Sequence, residues 1–251
     1  NNARITFNAT GGSVNGKNPV YVRTGNANAF TEIRNNTTTS LPIGSRSCYT
    51  LNGWYTARSE GSKVLTSSSK FTGTAVDGFT STNKWAAVEN KELFAQWTPN
   101  TYTISYDYTG GSPTSFTYGV GAKVTETASR NGYTFNGWEY NSKKAFSHEV
   151  STTACSNQSV TALWCKNCDS PVSHGTCKLN AATAGTCDYT TACDNEYKMV
   201  SGNKTSSPKC CKRCDTVDHG TCSEKWVGSE CAYDTTCDTG YDYESGEGTY
   251  H

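Results

Sequence analysis

A β-rich chain of small modules in series is predicted by three features of this sequence. A set of strand-like blocks occurs twice, a cysteine frame occurs twice, and there is too little apolar material for one large core. Tyr102-Thr103-Ile104-Ser105-Tyr106-Asp107-Tyr108-Thr109-Gly110-Gly111 repeats Arg4-Ile5-Thr6-Phe7-Asn8-Ala9-Thr10-Gly11-Gly12 in character. Gly132-Tyr133-Thr134-Phe135-Asn136-Gly137-Trp138 repeats Cys48-Tyr49-Thr50-Leu51-Asn52-Gly53-Trp54, and Ala162-Leu163-Trp164 repeats Ala95-Gln96-Trp97. Three blocks in the same order, twice, mark a module, and chains of repeats build reach or display surface. A mean hydropathy of -0.64 with 23 glycines in 251 residues favours several small domains over one.

The strands follow in order. Ala3–Ala9 alternates, with Ile5 and Phe7 on one face, and ends at the turn Gly11-Gly12. Val20–Val22 is a second short strand, and Gly25–Ser47, rich in Asn, Thr, Ser and Gly, reads as an extended loop. Tyr49–Tyr55 is a strand in which Asn52-Gly53 forms a bulge that aims Trp54 inward, since Asn-Gly favours positive φ. Glu60–Thr82 is expected to be an irregular polar insertion and Lys84–Asn90 a short helical turn. Leu93–Trp97 closes the module, and Pro99 keeps the strand from running on. In the second copy, strands are expected at Tyr102–Tyr108, Ser115–Tyr118, Tyr133–Tyr140 and Val160–Trp164, with Ala122–Ser129 a short helix or crossover. Burying one tryptophan contributes roughly 3 kcal/mol, so Trp54, Trp97, Trp138 and Trp164 are expected to be core anchors.

These residues resemble the Listeria–Bacteroides repeat, also called the internalin B-repeat. Gly132–Trp138 is the strongest match, supported by Phe146 and by Ala162-Leu163-Trp164, and the likeness runs from about Ala3 to Trp164. In the first copy Cys48 stands where the motif has glycine. The resemblance implies a β-rich α+β fold of tandem β-grasp-like modules, an extracellular place, and a part in bacterial surface proteins as a spacer or adhesive module. It carries no catalytic residues.

Past Trp164 the pattern changes. Cys165-x-x-Cys168, His174-Gly175-Thr176-Cys177, Cys187 and Cys193-Asp194 return as Cys211-x-x-Cys214, His219-Gly220-Thr221-Cys222, Cys231 and Cys237-Asp238. The first copy holds six cysteines, ending at Cys210, and the second holds five, so a sixth is expected to fall beyond His251 in a longer protein. Six cysteines allow fifteen connectivities, which the spacing does not resolve. Disulfides, each contributing about 3 kcal/mol, would hold modules that lack an apolar core. Cys48 and Cys155 either pair with each other or Cys155 joins the first cysteine-rich copy. The total of 13 is odd, and the unpaired thiol is expected among Cys211–Cys237. His-Gly-Thr-Cys and Cys-Asp-Thr-Gly-Tyr are similar to EGF-like modules, although that family's Cys-x-Cys is absent. The expected boundaries are therefore 1–98 and 99–164 for the strand modules, and 165–210 and 211–251 for the cysteine-rich ones.

Composition limits the function. Lys+Arg and Asp+Glu are both 22, so no basic field exists to hold a phosphate backbone, and nucleic acid is not an expected partner. There is no apolar run long enough to span a bilayer. So many cysteines fit an oxidising exterior, which predicts an extracellular or cell-surface location. A zinc alternative rests on the Cys-x-x-Cys pairs with His174 and His219 as further ligands, but it would leave the other cysteines without a role. Motifs for nucleophilic catalysis or phosphate cradling are absent. No catalytic residue and no cofactor are expected, and the chain is read as non-enzymatic. His174 and His219 are expected to make turn contacts, and Asp194, Glu196 and Asp238 to be solvated loop acids and not calcium ligands. The unrepeated Trp85 and Trp226 are the candidates for a glycan-stacking surface. Sequons at Asn8, Asn36, Asn157 and Asn203 are expected by chance. Self-association, a host or neighbouring surface protein, or a glycan are the partners this reading implies.

Overall fold

Alternating apolar and polar residues make the strands, and the strands of both copies pair in the same order. The computed structural model describes residues 3–16, 18, 20–23, 42–107 and 113–242, and every regular element among them is a strand. The first copy contains β1 (Arg4–Asn8), β2 (Val20–Arg23), β3 (Tyr49–Tyr55), β4 (Lys63–Thr66), β5 (Thr80–Ser81), β6 (Lys84–Trp85) and β7 (Lys91–Pro99). Its five-stranded sheet runs β2-β1-β7-β3-β4, with β1 and β7 parallel and the other neighbours antiparallel.

The second copy contains β8 (Thr101–Asp107), β9 (Thr114–Thr117), β10 (Ala122–Val124), β11 (Tyr133–Tyr140), β12 (Lys143–Ala145), β13 (His148–Val150) and β14 (Gln158–Lys166). Its sheet runs β9-β8-β14-β11-β12, the same order strand for strand. The cysteine-rich third is three hairpins. They pair β15 (Gly175–Asn180) with β16 (Asp188–Cys193), β17 (Tyr197–Ser201) with β18 (Lys209–Lys212), and β19 (Gly220–Val227) with β20 (Glu230–Cys237).

Two compact units make up the chain. Asn1–Ile104, Thr114–Ala122 and Val150–Gln158 form one, and Ser105–Pro113, Lys123–Glu149 and Ser159–His251 form the other. In the first, Ile5, Phe7, Trp54, Val64, Leu65 and Leu93 are fully buried, and the Phe7 ring meets Trp54 edge-on at 4.9 Å. In the second, Trp138 is fully buried against Tyr106 and Phe135, with centroids at 5.2 and 5.1 Å. Beyond Cys165 the residues buried as a whole, among those described, are Pro208, Cys210 and Cys211.

Four expectations are corrected here. The α+β class gives way to an all-strand fold among the described residues. Lys84–Asn90 forms no helical turn, because Lys84-Trp85 pairs with Thr80-Ser81 and this places Trp85 in the core. Ala122–Ser129 forms no helix, because Ala122–Val124 pairs with β13 and Val124 is fully buried. The insertion Glu60–Thr82 is also more than irregular loop, since it supplies β4 and the buried Val64, Leu65 and Phe71. Most of the expected loop Gly25–Ser47, the Gly110-Gly111 turn and Asn36 lie outside the described residues.

The Asn-Gly bulge occurs in both sheets. The register of β3 on β7 shifts between Leu51 and Gly53, and that of β11 on β14 shifts between Phe135 and Trp138. Gly137 sits at φ +97°, where a Cβ would lie 2.8 Å from the Ala145 carbonyl oxygen and 2.9 Å from the Ala184 Cβ. Gly137→Ala is therefore expected to cost about 2–4 kcal/mol from strain plus overlap. Gly119→Ala, at φ +87° with open space around it, should cost only about 1 kcal/mol. Urea unfolding of the two variants measures the difference, and equal losses would show that the bulge tolerates a side chain.

Candidate functional site: repeated junctions and a cystine ladder

Each strand module ends in the same small device, built around the motif residue that requires positive φ. Cys48 has φ 65° and Gly132 φ 76°, so the cysteine occupies the glycine conformation. The carbonyl of Cys48 accepts from the Asn100 amide at 2.9 Å, and that of Gly132 from the Asn167 amide at 2.9 Å. Thr50 Oγ1 then donates to Asn100 Oδ1 at 2.6 Å, and Thr134 Oγ1 to Asn167 Oδ1 at 2.7 Å. The guanidinium of Arg46 lies 3.8 Å above the Tyr49 ring, and that of Arg130 4.0 Å above Tyr133. The indole N–H of each motif tryptophan donates to a carbonyl four residues before that arginine: Trp54 to Pro42 at 3.2 Å, and Trp138 to Glu126 at 2.8 Å. Asn100 and Asn167 are the residues by which the chain leaves each sheet. A repeated block that begins at Cys48 and Gly132 leaves the arginines outside it. Ser45-Arg46 and Ser129-Arg130, two residues upstream, are the signal that would have found them.

Cys48 also bonds to Cys155 with a Cα–Cα distance of 5.4 Å, within the first unit. Ser47 Oγ lies 3.8 Å from the Cys155 sulfur, and Tyr102 Oη lies 3.4 Å from it. Of the two pairings left open for Cys155, this is the one formed.

The cystines of the last third repeat as a frame. Cys165–Cys187, Cys168–Cys177 and Cys193–Cys210 form the first copy. Cys211–Cys231 and Cys214–Cys222 reproduce the first two bonds. Cys237, in the place of Cys193, was counted among the disulfide candidates and is instead the free thiol. The frame is rooted in the strand module. Thr98 pairs with Thr50 and caps Asn52 Oδ1 at 2.8 Å, whereas in the second module Cys165 holds that register opposite Thr134. The Asn136 amide donates to the Thr186 carbonyl at 2.8 Å and to the Cys165 sulfur at 3.1 Å. This ties the first cysteine-rich hairpin to the bulge. The next copy uses the same placement: the Cys187 sulfur sits 3.6 Å from the Trp164 carbonyl oxygen, and the Cys231 sulfur 3.7 Å from that of Cys210.

His174 and His219 are turn residues at φ 55°. Their carbonyls accept from Asp194 and Asp238 at 2.9 and 2.8 Å. Their rings stack on Tyr197 and Tyr241 with centroids 4.0 and 3.9 Å apart. Both Cys-x-x-Cys pairs are held in disulfides, so the thiolates a zinc site needs are engaged. Among the described residues no group of three His, Cys, Asp or Glu is placed to hold an ion, and Asp194, Glu196 and Asp238 form no such cluster. Of the tryptophans expected in the core, Trp54 and Trp138 are fully buried, and Trp97 and Trp164 are half-buried. Trp85 is 3% exposed, packed against Phe71 and Phe7, so it cannot offer a face to a sugar. Trp226 is half-buried, like Trp97 and Trp164.

The family model described as the Listeria-Bacteroides repeat domain matches residues 4–76 and 102–162. The search of curated proteins finds no match, and the search of solved structures finds none.

Proposed function

The chain belongs to the Listeria-Bacteroides repeat family, whose model covers just over half of it, and from that premise we propose that it is a non-enzymatic extracellular repeat protein of a bacterial surface. In this reading it acts as a structural or adhesive stalk. Residues 1–98 and 99–164 are, in this reading, β-grasp-like modules. The sheet order and the parallel β1–β7 pair support that assignment. Residues 165–210 and 211–251 are cystine-held modules added in series. The observation that carries the reading is the pair of identical exits at Asn100 and Asn167, a device for passing the chain from one module to the next. Six disulfides support an oxidising exterior. No helix among the described residues is long and apolar enough to cross a membrane. The partners are a neighbouring or host surface molecule, or further copies of the chain packing into a fibre.

Antibodies against the chain are expected to label intact cells. Small-angle scattering should give a radius of gyration well above the roughly 18 Å of a 251-residue globule, and electron microscopy of native material would separate fibres from single stalks. Labelling only after permeabilisation would overturn the surface assignment, and a globular radius would overturn the stalk.

A further inference from the structure

One cleft of the second unit carries chemistry that neither the sheets nor the cystines use. It measures about 120 Å³, lies beside the loop after Cys168, and is bounded by Asp169, Pro171, Ser173, Lys209 and Trp226 among others. Trp226 is not required by the hairpin that bears it. Aligned on the two His-Gly-Thr-Cys blocks, Ala181 stands one position past the end of β15 where the second copy has Trp226, and the first hairpin pairs as far as Asn180 and Asp188 without a tryptophan. The Lys209 ammonium lies 5.4 Å from the Trp226 ring centroid. At the other end, the Asp169 carboxylate has Lys166 at 3.3 Å and Lys209 at 4.0 Å. A hydrogen bond from Ser207 is the largest cause holding its carboxyl below the usual range; burial opposes it, and Lys166 and Lys209 add smaller lowering effects. It is therefore an ionised acceptor at neutral pH. Neither the Trp226 indole N–H nor the Ser173 hydroxyl has a protein partner among the described residues.

A half-buried aromatic ring, an anionic acceptor, an ammonium donor and two unused polar hydrogens in one small cleft match a particular ligand chemistry. A pyranose has an apolar C–H face for the indole and an edge of hydroxyls that both donate and accept. An anion would meet the Asp169 carboxylate, and an aliphatic side chain would leave the polar groups unanswered. The cleft is smaller than the roughly 300 Å³ that encloses a whole ligand, so it suits one ring of a longer glycan. We propose that this cleft is a sugar subsite that takes one neutral pyranose, stacked on Trp226 with vicinal hydroxyls shared between Asp169 and Lys209. The site would operate whether or not the chain is a stalk, so it goes beyond the surface-repeat reading and is tested separately from it.

Saturation-transfer NMR on the full chain, with the methyl glycosides of glucose, galactose, mannose and N-acetylglucosamine and with N-acetylneuraminic acid for comparison, tests the proposal. At least one neutral glycoside is expected to give saturable transfer. Trp226→Ala should weaken it about tenfold, the upper end of an aromatic contact, while Trp226→Phe retains most of it and Asp169→Asn weakens it. The far-ultraviolet circular dichroism of Trp226→Ala should match that of the parent, as Ala181 in the first copy implies. Transfer from none of the neutral sugars, transfer only from the acidic one, or transfer unchanged by Trp226→Ala in a folded variant would each overturn it.

Discussion

Reducing the native chain with a thiol reagent is expected to unfold residues 167–242 while both five-stranded sheets stay folded. The difference lies in what is buried. The sheets enclose Trp54, Phe7, Leu65 and Leu93 in one unit, and Trp138, Val124 and Val160 in the other, each contributing about 1.5–3 kcal/mol. The cysteine-rich hairpins bury hardly more than their own cystines. Five disulfides close loops with sequence separations of 22, 9, 17, 20 and 8, each stabilising by about 2.5–3 kcal/mol. Surface ion pairs such as Lys225–Asp234 add less than about 1 kcal/mol and cannot replace them. Hydrogen-exchange mass spectrometry should show protection lost in β15 to β20 and kept in β3, β7 and β11. Thiol counting should find one reactive group before reduction, Cys237, and 13 after reduction in denaturant. Protection that persists in the hairpins would mean that apolar contacts hold them.

Trp138→Ala is expected to cost about 3–5 kcal/mol, enough to unfold a module whose total stability is of the same order. The indole is fully buried, and its loss removes two edge-on ring contacts. It also leaves the Glu126 carbonyl without the donor now 2.8 Å away. Trp164→Ala should cost distinctly less, because that ring is half-buried and meets Phe135 at 5.8 Å from one side. Chemical denaturation of the two variants ranks them. A larger loss at Trp164 would place the anchor of the second sheet elsewhere.

Period-two alternation made the long strands legible. Ile5 and Phe7, or Leu93 and Ala95, point to one face, and Asn-Gly before tryptophan marks the bulge because a residue that takes positive φ must sit there. Short segments were not legible in the same way. Lys84–Asn90 and Ala122–Ser129 have no apolar period, and only the pairing of Lys84-Trp85 with Thr80-Ser81 and of Ala122–Val124 with His148–Val150 shows that each begins as a strand. Trp85 looked exposed because it has no counterpart in the second copy; it serves the inserted segment, whose own core residue Phe71 it touches. Cysteine spacing cannot choose among pairings that differ only in three dimensions. Repetition nonetheless limited the free thiol to the last copy, since Cys237 corresponds to Cys193, whose partner Cys210 ends the first frame.

The Cys48–Cys155 bond spans 107 residues and so acts on tension as well as on stability. A force applied at the two ends would cross from Cys48 to Cys155 through sulfur, and the backbone between them would carry none of it. Roughly 360 Å of contour length, at about 3.4 Å per residue, is thereby withheld from extension. A tether of this kind yields little between those points when pulled in an oxidising medium; once that single bond is reduced, the same length becomes available to any load strong enough to unfold the sheets.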